Sequence, residues 1–157
     1  MPQLLPGNSL GFLLTDASRL ARQESERCFS EANLQLTYGE IRTLAHAARY
    51  RGSRQAALAE RMGIEPMTVS AFLDKLEMKG LVERQVDPSD RRAKIVVVTQ
   101  QAAVIFDEIR PVVLAMYERM VAGIDDADLD TALDVLTRIR LNLTTDPALV
   151  NDDSTTR

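Results

Sequence analysis

The strongest structural signal in this chain is the segment QAALAERMGIEPMTVSAFLD, residues Gln55–Asp74. Apolar residues recur at helical spacing on both sides of Gly63, and Pro66 suits the first turn of a second helix. Gly63 favours the positive φ that a tight turn between helices commonly requires. Ala59 is small, which lets two helices cross closely. The segment therefore predicts two short helices joined by a tight turn.

This pattern is typical of a helix-turn-helix, although an ordinary helical hairpin in a core has the same periodicity. Five apolar side chains are predicted to pack inward, namely Leu58, Met62, Ile64, Val69 and Phe72. The packing leaves a second set facing solvent or a DNA groove, namely Pro66, Met67, Thr68, Ser70, Ala71, Asp74 and Lys75. A major groove about 12 Å wide accepts such a helix. We therefore predict that this second set contacts DNA.

A β-hairpin is predicted directly after the second helix. Residues 81–86 and 93–98 are rich in β-branched residues, and residues 87–92 (DPSDRR) have turn chemistry. A hairpin in this position is a wing, with Arg91 and Arg92 placed to enter a minor groove or to grip phosphates. Asp90 is expected to pair with an arginine and hold it extended. Arg54 and Lys94 complete the predicted DNA-binding set.

Helices are predicted on both sides of this region. The first covers about residues 9–32, and a capping box at Thr37–Glu40 opens a second that runs to about Tyr50. Ser53 is the predicted N-cap of the helix over residues 54–62. After the hairpin, a helix over about 100–122 should be kinked by Pro111 or left with one carbonyl unpaired, and a last helix starts near Asp125. The predicted fold class is mainly α with a small β-hairpin wing (α+β).

Composition places further bounds on the protein. Its 157 residues are 45% apolar and include one cysteine, which excludes an internal disulfide framework. We find no run of about 18 apolar residues and no secretory signal pattern at the N-terminus. These features predict a cytoplasmic protein without a membrane span.

The net charge of −4 does not by itself favour DNA binding. Residues 51–94 carry nine Lys and Arg against seven Asp and Glu, whereas the rest of the chain carries ten against sixteen. Attraction to phosphates acts within about 10 Å at moderate salt, so the local balance matters more than the total. Because the local excess is small, the DNA-binding prediction depends on the motif.

The run from Leu36 to Thr99 resembles the MarR family of winged-helix regulators. The residues that carry the resemblance are Leu36-Thr37-Tyr38, LEMKGLVER at 76–84, DPSDRRAK at 87–94, and Val98-Thr99. Two departures are present. Gln101-Ala102 stands where many relatives have Lys-Gly, and the recognition helix exposes Ala71 and Asp74. The second departure leaves more of the DNA contact to the wing and to DNA shape.

The resemblance implies a homodimer that binds pseudo-palindromic double-stranded DNA, usually as a repressor released by a small phenolic or other aromatic effector. It assigns residues 36–99 to a DNA-binding lobe, and residues 9–35 and 100–145 to dimerisation helices. We expect residues 146–157 to form a disordered tail. The resemblance also implies that Tyr38 contacts the effector. His46, the only histidine, is a second candidate for an effector contact, and its alternative role is structural.

Other functions are less well supported by the sequence. A winged-helix module that docks proteins without binding DNA is the alternative that stays open. Cys28 could be a redox-sensing thiol, but it does not match the sensing motif of relatives, so we favour a structural role. We find no Ser/His/Asp set, no glycine-rich phosphate loop and no ligand-spaced His or Cys. We therefore expect no enzyme activity, no metal and no cofactor.

Overall fold

The computed structural model describes residues 4–151. Seven helices and two strands follow one another within those residues: α1 (Leu10–Glu31), α2 (Tyr38–Arg49), α3 (Gln55–Met62), α4 (Pro66–Met78), β1 (Val82–Asp87), β2 (Asp90–Val98), α5 (Ala102–Met120), α6 (Asp126–Leu143) and α7 (Pro147–Val150). The predicted fold class is confirmed: the chain is mainly helical and carries one antiparallel hairpin. α5 continues as a helix through Pro111.

The chain divides into two compact units, one reaching Tyr117 and one starting at Glu118. The core of the first unit lies where α2, α3, α4 and the hairpin meet. Its most deeply buried apolar side chains come from all of these elements: Leu44, Leu58, Val69, Leu73, Leu76, Val82 and Val96. This shared core makes the three helices and the hairpin one structural body.

The start of α2 follows the predicted capping box. The Thr37 hydroxyl accepts a hydrogen bond from the Glu40 amide at 3.3 Å, and the Glu40 carboxylate accepts one from the Thr37 amide at 3.0 Å. Glu40 is buried, and its charge is balanced by the Lys79 ammonium 3.2 Å away. The cap therefore also ties the end of α4 to the start of α2.

The predicted N-cap at Ser53 is wrong. α3 begins after Arg54, which occupies the cap position without a side-chain cap hydrogen bond. The Ser53 hydroxyl instead donates to the Tyr50 carbonyl and accepts from Arg61, both at 2.6 Å. The Ser53 carbonyl accepts the Val96 amide at 2.9 Å, so the segment before α3 lines the outer edge of β2. Pairing with the strand holds this segment where the helix cap was expected.

The hairpin turn is tighter than predicted. β1 and β2 pair in regular antiparallel register from Val82↔Val98 to Val86↔Lys94, and the next pair is Asp87↔Asp90. Only Pro88 and Ser89 form the turn, because the Asp87 carboxylate accepts hydrogen bonds from the Ser89 amide and hydroxyl at 2.8 and 2.7 Å. Residues 91–93 are therefore extra residues on β2, a bulge beside the turn.

The second unit contains α6 and α7. Asp126 and Asp128 lie in the first turn of α6, where the helix dipole favours acidic residues. α7 is a single turn that begins at Pro147 and is capped by the Asp146 carboxylate, which accepts the Ala148 amide at 3.0 Å. This turn departs from the disorder predicted for residues 146–157. Residues 152–157 lie outside the described part of the chain.

Candidate functional site

Helix α4 presents the face that the sequence predicted. Val69, Leu73 and Leu76 are buried, and the opposite side faces solvent. The exposed residues on that side are Pro66, Met67, Thr68, Ala71, Asp74 and Lys75, while Ser70 is half-buried. The structure thus brings the predicted α4 set together on one surface.

The turn before α4 sets the angle of this helix. Gly63 has φ +64°, and the Ile64 amide donates to the Ala59 carbonyl at 3.1 Å. The Arg42 guanidinium of α2 donates to the Met62 carbonyl, one of the last carbonyls of α3. Gly39 in α2 lies against the Phe72 ring, so closely that a Cβ there would overlap the ring. α4 is therefore held by two helices as well as by the turn.

Arg84 on β1 connects the wing to α4, and sequence reasoning missed this residue. Its guanidinium lies 2.7 Å from the Asp74 carboxylate and 3.3 Å from that of Glu77, and it donates to the Ser70 carbonyl at 3.2 Å. The Arg84 side chain is only 18% exposed. The available signal was the two-residue period of a strand, which places Arg84 on the same face of β1 as Val82 and Val86. One arginine of the wing therefore contacts three residues of α4.

Asp87 organises the wing tip. Its buried carboxylate lies 2.7 Å from the Arg54 guanidinium and also accepts the two Ser89 hydrogen bonds. The hydrogen bonds from Ser89, followed by the one from Arg54, lower the pKa of Asp87 from 3.8 to about 2. Arg54, which the sequence assigned to DNA, is therefore paired within the protein, although its side chain stays 47% exposed.

The remaining cations of the wing, Arg91, Arg92 and Lys94, are exposed to solvent. The Asp90 carboxylate lies 3.7 Å from the Arg54 guanidinium, so Arg54 is the arginine with which it pairs. The same carboxylate accepts a hydrogen bond from the Arg92 backbone amide at 3.0 Å. Arg91, Arg92 and Lys94 are exposed, and no carboxylate among residues 4–151 lies within ion-pair distance of them. Arg91 and Arg92 lie in the bulge at residues 91–93, and Lys94 is the first residue of β2 beyond it in regular register. The wing tip therefore carries three exposed cations that have no ion-pair partner among the described residues.

Tyr38 and His46 line one cavity of about 180 Å³ between α1, α2 and α5. The other lining residues are mostly apolar: Phe29, Ile41, Arg42, Ala45, Phe106, Ile109, Val113 and Met116. The Tyr38 ring stacks on Phe29 with centroids 6.0 Å apart. His46 Nδ1 lies 2.8 Å from the Arg42 carbonyl, and burial lowers the pKa of His46. A neutral ring that donates from Nδ1 to this carbonyl keeps Nε2 as an acceptor.

Cys28 is buried, with its thiol 3.5 Å from the Glu24 carboxylate and 3.9 Å from the Arg27 guanidinium. This placement suits the structural role preferred from the sequence. Among residues 4–151, no group of three or more His, Cys, Asp or Glu is arranged to hold a metal ion. No helix in the same residues is long and apolar enough to cross a membrane.

An exposed second helix after a tight turn, followed by a two-stranded wing, defines the winged helix-turn-helix class of transcription regulators. The MarR family model matches residues 36–94. The transcriptional regulator PA3341 is 35% identical over 86% of this chain and 98% of its own, with a TM-score of 0.72. The chain therefore belongs to the MarR family, a class of transcription factors and not of enzymes.

Two further solved structures are similar to this chain. A MarR-family regulator from Rhodococcus sp. RHA1 is 26% identical over 87% of this chain and 96% of its own, with a TM-score of 0.72. CouR from Rhodococcus jostii RHA1, solved with p-coumaroyl-CoA bound, is 28% identical over 87% of this chain and 95% of its own, with a TM-score of 0.68. The similarity extends beyond the winged helix to most of the chain.

Proposed function

We propose that this protein binds double-stranded DNA sequence-specifically as a homodimer and represses transcription until a small aromatic effector releases it. The observation that carries the proposal is the pairing of an exposed α4 face with an unneutralised wing. Arg84 ties β1 to α4, so the two surfaces are held together. α4 enters the major groove, and Arg91 and Arg92 reach an adjacent minor groove or its phosphates.

A dimer is supported by apolar side chains that the single chain leaves exposed. On α1, Leu10, Leu13 and Leu20 are each more than half exposed. Further exposed apolar side chains occur on α5 (Val113, Leu114, Tyr117) and, in the second unit, on α6 (Leu133, Leu136). We assign residues 9–35 and 100–145 to the dimer interface and residues 36–99 to the DNA-binding lobe. Two lobes about 34 Å apart then meet successive major grooves of a pseudo-palindrome.

The effector is assigned to the cavity that Tyr38 and His46 line. A dry apolar cavity of about 150 Å³ holds one benzene ring, so 180 Å³ suits a single aromatic ring. His46 Nε2 accepts a hydrogen bond from a phenolic hydroxyl. The p-coumaroyl-CoA bound to CouR carries such a ring and supports this class of ligand. A ligand between the α1 and α5 helices and α2 shifts the spacing of the two lobes and weakens DNA binding.

The proposal is tested by titrating the full-length protein against the DNA upstream of its own gene at two salt concentrations. Unrelated duplex DNA serves as competitor. We expect tight binding that resists the competitor and weakens steeply with salt, because cationic contacts to phosphates release counterions. Equal and weak binding to both duplexes would favour a protein-docking winged helix instead.

A further inference from the structure

The exposed face of α4 is largely apolar at its N-terminal end, the end with which recognition helices contact bases. Met67 is 84% exposed, and Pro66, Thr68 and Ala71 are exposed beside it. Met67 and Ala71 are four positions apart and therefore lie on the same side of the helix. An exposed methionine and alanine on a surface that is proposed to bind DNA are suited to contact an apolar group of the DNA.

The polar groups that read guanine, adenine and cytosine are scarce on this helix. Residues 66–78 contain no Arg, Asn or Gln, which are the side chains that most often make paired hydrogen bonds to guanine and adenine. Asp74, a potential acceptor for cytosine, is held by Arg84 at 2.7 Å, and Glu77 is held by the same arginine. Lys75 is the single cation in α4, because Lys79 follows its end and pairs with Glu40.

The 5-methyl group of thymine is the apolar group that the major groove offers, and alanine and threonine methyls contact it in known complexes. We propose that α4 recognises thymines through their methyl groups, with Met67 and Ala71 as the residues that determine specificity. Four residues rise about 6 Å along a helix, which compares with about 3.4 Å per base pair. The two side chains therefore reach thymines on neighbouring or next-neighbouring base pairs. This inference rests on the proposed DNA binding.

The experiment starts from a randomised duplex library, from which the full-length protein selects its preferred sites. Each thymine of a selected half-site is then replaced in turn by deoxyuridine, which removes only the methyl group. We expect one or two positions at which affinity falls about fourfold, the amount expected for one buried methyl group. In Met67→Ala the loss at one of these positions should disappear, because the contact is already absent.

Met78→Ala is the matched control, since Met78 is an equally exposed methionine (88%) at the other end of the same helix. This variant should keep the full deoxyuridine effect. Specific binding that is equal for thymine and deoxyuridine at every position overturns the inference and leaves the proposed DNA-binding function standing. If no site is selected from the library, the proposed function fails and this inference falls with it.

Discussion

The Arg84 guanidinium lies 2.7 Å from the Asp74 carboxylate and joins the first wing strand to the recognition helix. The same guanidinium contacts Glu77 and the Ser70 carbonyl, so one side chain engages about two turns of α4. The proposed DNA-binding mode requires the wing and α4 to meet the duplex at a fixed angle, and Arg84 is placed to set that angle.

We expect Arg84→Met to lower DNA affinity without removing a DNA contact, because methionine keeps the apolar packing but releases the wing from α4. The free energy of unfolding should fall by about 1 kcal/mol, since Arg84 is mostly buried while Asp74 is 60% exposed. Urea unfolding measures this change in the free energy of unfolding. Arg110→Met, which removes the surface pair with Asp107, is the control and should change stability by less than about 0.5 kcal/mol. Equal effects in the two variants would contradict a special role for Arg84.

Arg92→Ala should weaken binding to the selected operator by about 1–3 kcal/mol and reduce the salt dependence by about one phosphate contact. Arg92 is exposed in the bulge and pairs with no carboxylate among residues 4–151, so its loss leaves stability unchanged. The measurement is a titration over a salt series, with thermal unfolding as the check on folding. Lys94→Ala serves as the comparison, because Lys94 is a neighbouring cation in the regularly paired part of β2. A wild-type affinity and salt slope in Arg92→Ala would exclude the wing tip as a major contact.

Local sequence signals predicted the order and approximate bounds of the main helices and strands, because each element follows its own periodicity and cap. The capping box at Thr37–Glu40 is an example of a signal complete within four residues. The Arg84 contact to Asp74 was not predictable in the same way, since it depends on how a strand sits against a helix ten residues earlier. Ser53 was misread for a related reason: pairing with β2 displaced the cap expected from local chemistry.

Among the candidate site residues on α4, all but the half-buried Ser70 are exposed as predicted, because a helical period alone sorts inward from outward positions. Arg54 was included in the predicted DNA-binding set, and nothing local indicated that Asp87 holds it. Tyr38 and His46 came respectively from family resemblance and from the scarcity of histidine. That they share a cavity depends on how α1 and α5 pack on α2, which periodicity does not specify.

The Asp87 carboxylate should make the wing sensitive to acid. Its pKa is about 2 in the folded protein against an ordinary value of 3.8, so the folded state favours the charged form. The stabilisation is complete above about pH 4 and is lost as the pH falls toward 2. We expect Asp87→Asn to be less stable than the wild type at pH 6, with a difference in unfolding free energy that shrinks on acidification. A difference independent of pH between 6 and 2 would show that the charge of Asp87 is not what stabilises the tip.

Filling the cavity beside Tyr38 and His46 should separate effector response from DNA binding. Ala45 is exposed at the rim of this cavity, and Ala45→Phe places a ring where the effector ring is proposed to bind. A panel of phenolic acids is screened by thermal shift, and hits are tested for release of DNA. Ala45→Phe should bind DNA normally but should lose both effector responses, the thermal shift and the release of DNA. Val104→Phe, on the exposed side of α5 and outside the cavity lining, should retain them. Full effector response in Ala45→Phe would place the effector elsewhere.

The exposed leucines of α1 give a direct test of the dimer. Leu13 and Leu20 lie seven positions apart on one side of the helix and are 55% and 53% exposed in the single chain. Leu13→Glu together with Leu20→Glu places charges in the proposed interface, where burying an unpaired carboxylate is unfavourable. Sedimentation at micromolar concentration should then give a monomer, and operator affinity should fall at least tenfold because the two half-sites are no longer bound together. Thr15→Glu adds the same charge at an exposed position on the opposite side of α1 from the two leucines and should leave the dimer intact. A double variant that stays dimeric and retains its helical circular dichroism would show that α1 does not form the interface.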